Sequence, residues 1–247
     1  MSTYKKLGVI GGVGPAATAL FFSRVVEYTN VARDQDHLSI DIVNRPSIPD
    51  RTDFLLGKPG APSFVPAMND LALQLEAQGC ELLATPCNTA HAQLDAIASG
   101  LTNARFVNML DATAQFVVSL GAQCCGVLAT SGTIETKVYD YALQEHGITC
   151  VAPCEHDQAL VMKLIYEQVK AGRTPDAALL ERICNTLFEG GCDVVILGCT
   201  ELSVIPYERV MNNGFVVDAL DVLAWRCVEE CGAPARDLHD LFMKDER

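Results

Sequence analysis

Two stretches of the chain, GCELLATPC at 79–87 and GCDVVILGC at 191–199, are variants of one pattern placed 112 residues apart. Each opens Gly-Cys-acid, runs through a short segment dominated by apolar side chains, and ends on a cysteine with a threonine close behind. A short apolar run bounded by Gly or Pro reads as a strand buried on both faces, the kind found in parallel sheets. The flanking segments repeat in the same order. CGVLATSG at 125–132 echoes LGVIGGVG at 7–14, a helical pattern at 177–188 precedes Gly191 as another at 66–78 precedes Gly79, and FVVDALD at 215–221 echoes FVNMLD at 106–111. Self-similarity kept in order over most of a chain is the mark of a duplicated unit.

Between these landmarks the patterning predicts strands at 4–10, 37–43, 81–85 and 106–110, and helices at about 16–31, 66–78 and 91–98. Strands alternating with helices indicate βαβ units. The expected fold is α/β: two pseudo-symmetric lobes, each a mainly parallel sheet flanked by helices, with the active site in the cleft between them. The first lobe is expected over residues 1–112 and the second over 113–220, with a C-terminal helix at 221–247 packing back on the first. Ligands of open parallel sheets bind beyond the carboxyl ends of the strands. Cys87 and Cys199 both stand just past such an end, so two facing lobes bring them to opposite sides of one cleft.

The charge balance narrows the partners. Against 31 Asp and Glu the chain has 18 Lys and Arg, a net charge of −13, which disfavours nucleic acid and anionic membranes. A small anionic substrate would need locally placed cations. No apolar stretch is long enough to span a bilayer. The apolar run behind Lys5 and Lys6 breaks at once into GGVGP at 11–15, which argues against a signal peptide. The eleven cysteines show neither C-x-x-C pairs nor zinc-ligand spacing, so reduced, buried thiols in a cytoplasmic protein without a metal are expected.

Two opposed cysteines suit one reaction in particular. Inverting the α-carbon of an amino acid needs a base on one face of a planar intermediate and an acid on the other, and two cysteines that exchange roles supply both. A helix starting at each cysteine would favour the thiolate. Its partner must be a thiol, because two thiolates in one closed cleft repel.

GGVGPAAT at 11–18, PCNTAH at 86–91 and GCTEL at 198–202, in this order and spacing, resemble the aspartate/glutamate racemase family of cofactor-independent amino-acid racemases. The resemblance covers nearly the whole chain. It implies two pseudo-symmetric lobes with the site between them, no pyridoxal phosphate, no metal and a homodimer. By it, Cys87 and Cys199 are the catalytic acid/base pair, each serving one enantiomer. Asn88, Thr89 and Thr200 match positions that bind the α-carboxylate and amino group, Arg51 the arginine that clamps a carboxylate, and Lys163 a lysine directed at a side-chain carboxylate. Thr130 and Thr133 become carboxylate contacts. Taken alone, these residues also read as helix caps, solvated surface charges and an ordinary strand-to-helix turn.

Three other features have competing readings. The loop GVGPAA at 12–17 fits the G-x-G-x-x-A fingerprint of dinucleotide sites, but Asn44 stands where the acidic partner should be, which favours a loop whose backbone lines an amino-acid pocket. His91 could pair with Cys87, although its place one helical turn on favours packing behind the thiol. The other nine cysteines read as small core residues. The expected function is racemisation of aspartate or glutamate. The alternatives are a broad-specificity amino-acid racemase, a maleate isomerase or hydantoin racemase, a two-lobed non-catalytic amino-acid binder, and a redox protein.

Overall fold

A computed structural model describes residues 4–211 and 214–243. Strands β1 (Leu7–Gly11), β2 (Ile40–Asn44), β3 (Leu82–Ala84) and β4 (Arg105–Phe106) form a wholly parallel sheet in the order β2-β1-β3-β4. Strands β5 (Cys124–Leu128), β6 (Thr149–Val151), β7 (Val194–Leu197), β8 (Val210–Met211) and β9 (Gly214–Asp218) form the second, in the order β6-β5-β7-β9-β8. Leaving aside β8, its antiparallel edge strand, the second sheet repeats the order of the first. The duplication read from the sequence is thus a duplication of topology. The central strands β1, β3, β5 and β7 are buried almost throughout, which is why they are written as unbroken apolar runs.

The apolar core lies in three bodies. One belongs to the outer face of the first sheet, around Phe64, Met68, Leu71 and Leu83. A second covers the outer face of the other sheet, around Leu164, Leu180, Ile183 and Val195. The third is shared: Leu7 and Val9 of the first sheet and Val127 and Ile196 of the second belong to it, with helices Pro15–Tyr28, Met109–Ser119 and Ala219–Glu230. Helix Ala219–Glu230 packs against both of the other two, so the inner faces of the lobes are welded through one layer of helices.

Three expected elements differ. The C-terminal helix expected at 221–247 is two, Ala219–Glu230 and Leu238–Met243, with 244–247 outside the described residues. The strand expected at 106–110 stops at Phe106, because the Asn108 side chain accepts hydrogen bonds from the Leu110 and Asp111 amides and starts helix Met109–Ser119. Asp218 does the same after β9, accepting from the Leu220 amide ahead of Ala219–Glu230, so the echo between FVNMLD and FVVDALD is strand, polar cap, helix. The helix expected at 91–98 is a 3-10 segment, Asn88–Gln93, followed by a single α-turn, Leu94–Ile97. After Cys199 there is only the 3-10 turn Leu202–Val204. Neither cysteine therefore heads a long α-helix, and the expected help from a helix dipole is replaced by individual side chains. Among the described residues no helix is long and apolar enough to cross a membrane.

Candidate active site

The loops leaving β1, β3 and β7 at their carboxyl ends converge. Gly12 (φ 87°) lies so close to Arg45 that a β-carbon there would stand 2.4 Å from the Arg45 backbone, a place only glycine can occupy. This turn opens a cavity of about 510 Å³ lined by Gly12, Gly14, Asp50, Arg51, Lys170 and Glu201, among others. The glycine loop thus lines the cavity with its backbone, as its sequence suggested.

Cys87 and Cys199 are both buried at this junction. The loops that bear them are tied directly: the Thr200 hydroxyl donates to the Pro86 carbonyl at 2.9 Å. Arg51, in the short helix Arg51–Leu55, is buried with its guanidinium beside Cys87 and one arm donating to the Pro49 carbonyl at 3.0 Å. Burial works against the Arg51 charge, but Cys87, Asp50 and Glu201 around it outweigh that cost and raise its pKa.

The other cysteine has an acidic neighbour. Cys199 donates its thiol proton to Glu201 Oε2 at 3.0 Å. Burial, and then the Glu201 carboxylate, hold the Cys199 pKa well above the ordinary cysteine value against the opposing pull of Lys170. Cys199 therefore rests as a thiol. The cysteines are equivalent in topology and different in electrostatics.

The remaining expected residues fall into three groups. Thr89 of the first lobe and Thr130 and Thr133 of the second form a buried triangle of hydroxyls, 2.9 to 3.2 Å apart. Asn88 is fixed by Tyr139, whose phenol donates to Asn88 Oδ1 at 2.5 Å and is kept protonated by burial. That leaves Asn88 Nδ2 as a buried donor with no protein partner, and Arg51 Nε is another. A buried polar group left unpaired costs roughly 1–3 kcal/mol, so Arg51, which lines the cavity, offers its Nε to a ligand there.

Lys163 is the exception. It is exposed at the end of helix Glu155–Lys163, whereas the other expected residues are buried, Arg51 being the one of them that lines the cavity. The cation in its place is Lys170, whose ammonium lies 3.6 Å from Asp50, 3.9 Å from Glu201 and 4.0 Å from the centre of the Tyr166 ring. On an α-helix, residues seven apart share a face, since each step turns the chain about 100°. Leu164–Val169 is a π-helical segment whose wider turns rotate each residue less, so Lys170 emerges on another face. Although burial disfavours its charge, Glu201 and Cys199 raise the Lys170 pKa. Asp50 has two roles: it caps helix Arg51–Leu55 through the Asp53 amide and accepts the Tyr166 hydroxyl. Burial opposes its ionisation, but the Asp53 amide, Lys170 and Arg51 hold its pKa below the ordinary value.

His91 is placed by its bonds. The Met109 amide donates to Nε2 at 3.1 Å, so Nδ1 carries the proton and donates it to the Cys87 carbonyl at 2.9 Å. Both ring nitrogens are occupied by backbone, and the ring supports the Cys87 loop from behind. Sequence reasoning missed Lys170, Glu201, Asp50 and Tyr139. Only Glu201 carried a signal, being an acid two residues beyond a candidate catalytic cysteine in GCTEL.

Comparison with known proteins agrees with this fold. A family model described as Asp/Glu/hydantoin racemase matches residues 10–227. The Picrophilus torridus aspartate racemase structure is similar with a TM-score of 0.84 at 30% identity, covering 96% of this chain and 99% of that one. A glutamate racemase isoform of Bacillus anthracis shares the fold, with a TM-score of 0.61 at 17% identity over 95% of this chain and 85% of its own. In sequence, the broad-specificity amino-acid racemase of Bacillus subtilis (strain 168) is 25% identical over 225 residues, 88% of this chain and 94% of its own length.

Proposed function

Because the chain belongs to the Asp/Glu/hydantoin racemase family, we propose that it racemises an acidic amino acid, aspartate or glutamate, by proton transfer through Cys87 and Cys199. The observation that carries this reading is a cavity with two cations, Arg51 beside Cys87 and Lys170 on the side of Glu201 and Cys199. Two carboxylates of one small substrate match two cations held by a scaffold of the opposite overall charge. Asn88 Nδ2 and Arg51 Nε supply further donors.

In one direction, Cys87 removes the α-proton from one face and the Cys199 thiol delivers its own proton to the other. The carbanion-like intermediate is planar, so the configuration inverts. The protein is left with the proton on Cys87 and none on Cys199, and the reverse reaction or exchange with water restores the starting state. The thiols provide both acid and base, so the reading includes no cofactor. The eleven cysteines, all free, suit a reducing compartment such as the cytoplasm, and a homodimer follows from the family resemblance. The similarity to a broad-specificity racemase supports a second reading, the same chemistry on a wider range of amino acids.

Proton NMR of L-aspartate and L-glutamate in D2O, with reductant and no added cofactor, tests the proposal. Loss of the α-proton signal is expected, slowed by about 10²–10⁴-fold in Cys87→Ala and in Cys199→Ala. No exchange from either amino acid would overturn it, and exchange from alanine or lysine as fast as from both acids would favour the wider range.

A further inference from the structure

A dicarboxylic amino acid brings an ammonium group as well as two carboxylates, and the cavity's two cations match only the carboxylates. The ammonium needs an anionic acceptor, and the charged cavity residues include two, Asp50 and Glu201. Asp50 is already engaged at both oxygens. Oδ1 accepts from the Asp53 amide at 2.9 Å and the Tyr166 hydroxyl at 3.2 Å, while Oδ2 accepts from the same hydroxyl at 3.1 Å and faces Lys170 at 3.6 Å.

Glu201 differs. The residue is only 5% exposed, its Oε2 accepts the Cys199 thiol, and its Oε1 is buried with no hydrogen bond. The Lys170 ammonium stands 3.9 Å from that oxygen, beyond hydrogen-bond reach. A buried carboxylate oxygen aimed into a ligand cavity without a donor is costly until one arrives.

The glycine loop leaves the space for this oxygen. Gly14 adopts φ 121°, and a β-carbon there would lie 2.9 Å from Glu201 Oε1. Glycine at position 14 therefore serves the carboxylate as well as the turn. Placement also agrees with the chemistry: one carboxylate holds the Cys199 sulfur on one oxygen and offers the other to the ligand. An amine bonded to Oε1 sets the adjoining α-carbon, one bond away, next to the Cys199 thiol.

Resting on the racemase reading above, we infer that Glu201 Oε1 is the acceptor for the substrate's α-ammonium group, and that this contact makes the site select free amino acids over dicarboxylates that lack the amine. Glu201 is then a binding residue that also orients Cys199.

Calorimetric binding of L-aspartate against succinate, and of L-glutamate against glutarate, tests this with wild-type protein and Glu201→Gln, alongside steady-state racemisation. Each pair differs only by the amine. Wild type is expected to prefer the amino acid by at least about tenfold, since a site built to bond an N–H group leaves its own partner unpaired when the group is missing. In Glu201→Gln that preference should vanish and KM should rise about tenfold or more, with succinate and glutarate binding within about threefold of wild type. Equal weakening of both members of a pair would overturn the inference. So would a loss confined to kcat with KM and the preference intact, because Glu201 would then act only on the Cys199 proton. Wild type that racemises an amino acid yet binds the amine-free acid as tightly would sink this inference alone, whereas wild type that exchanges no α-proton would sink the racemase reading itself.

Discussion

Thr200, the residue after one cysteine, gives its hydroxyl to the carbonyl of Pro86, the residue before the other, at 2.9 Å. Both halves of the duplication meet in this bond. Thr200→Val keeps the shape and removes the donor, leaving the Pro86 carbonyl without it. The expected result is a loss of about 1–3 kcal/mol in urea unfolding, together with a fall in kcat larger than any change in KM, because the two cysteine loops lose their common anchor. Unaltered kcat in a destabilised protein would show that the bond serves the fold alone.

Lys170 and Lys163 separate geometry from sequence pattern. Replacing Lys170 by Met removes a cation whose side chain is 23% exposed beside Asp50 and Glu201, and a charge-assisted contact to a substrate carboxylate is worth roughly 1.5–3 kcal/mol. KM for the acidic substrate should therefore rise about 10- to 100-fold. Lys163→Met, on the exposed end of its helix, should leave steady-state kinetics unaltered. Equal effects from the two substitutions would contradict the assignment.

Folding stability should depend on His91 in mildly acidic solution. Burial lowers its pKa to about 4, from about 6.5 when unfolded. The folded protein therefore resists a proton that the unfolded chain accepts. The contribution is fully present above pH 6.5 and is lost as pH falls towards 4, by up to about 3 kcal/mol from this residue. Urea unfolding across that window should show the decline in wild type and a flatter curve in His91→Gln; parallel curves would assign the acid sensitivity to other groups.

Cys124 and Cys192 have their sulfur atoms 3.7 Å apart at the amino-terminal ends of β5 and β7, the opposite end of the sheet from Cys199. Diamide, which takes up two electrons and two protons, should convert this pair to a disulfide. Burial raises the Cys192 pKa, so the reaction should be slow at neutral pH. Peptide mapping should recover the 124–192 link with racemisation retained in a sample whose catalytic thiols remain reduced. A link between Cys87 and Cys199 formed first would show that the catalytic pair is the more reactive.

The alternating elements, the repeat, the two strand-end cysteines and the glycine loop were legible in the sequence because each is local. An apolar run between Gly and Pro is a strand wherever it lies, and a cysteine at its carboxyl end stands at the mouth of a parallel sheet. Arg51 and the threonines were reached through short motifs around them. Tertiary structure alone decided which lysine enters the cavity, since one π-helical segment between Lys163 and Lys170 changes the face each presents. It likewise decided that Thr89 meets Thr130 and Thr133, and that Cys199 rests as a thiol under burial and Glu201. Strand and helix patterns are set by neighbours along the chain, whereas desolvation, charge pairing and a side chain's free oxygen are set by neighbours in space.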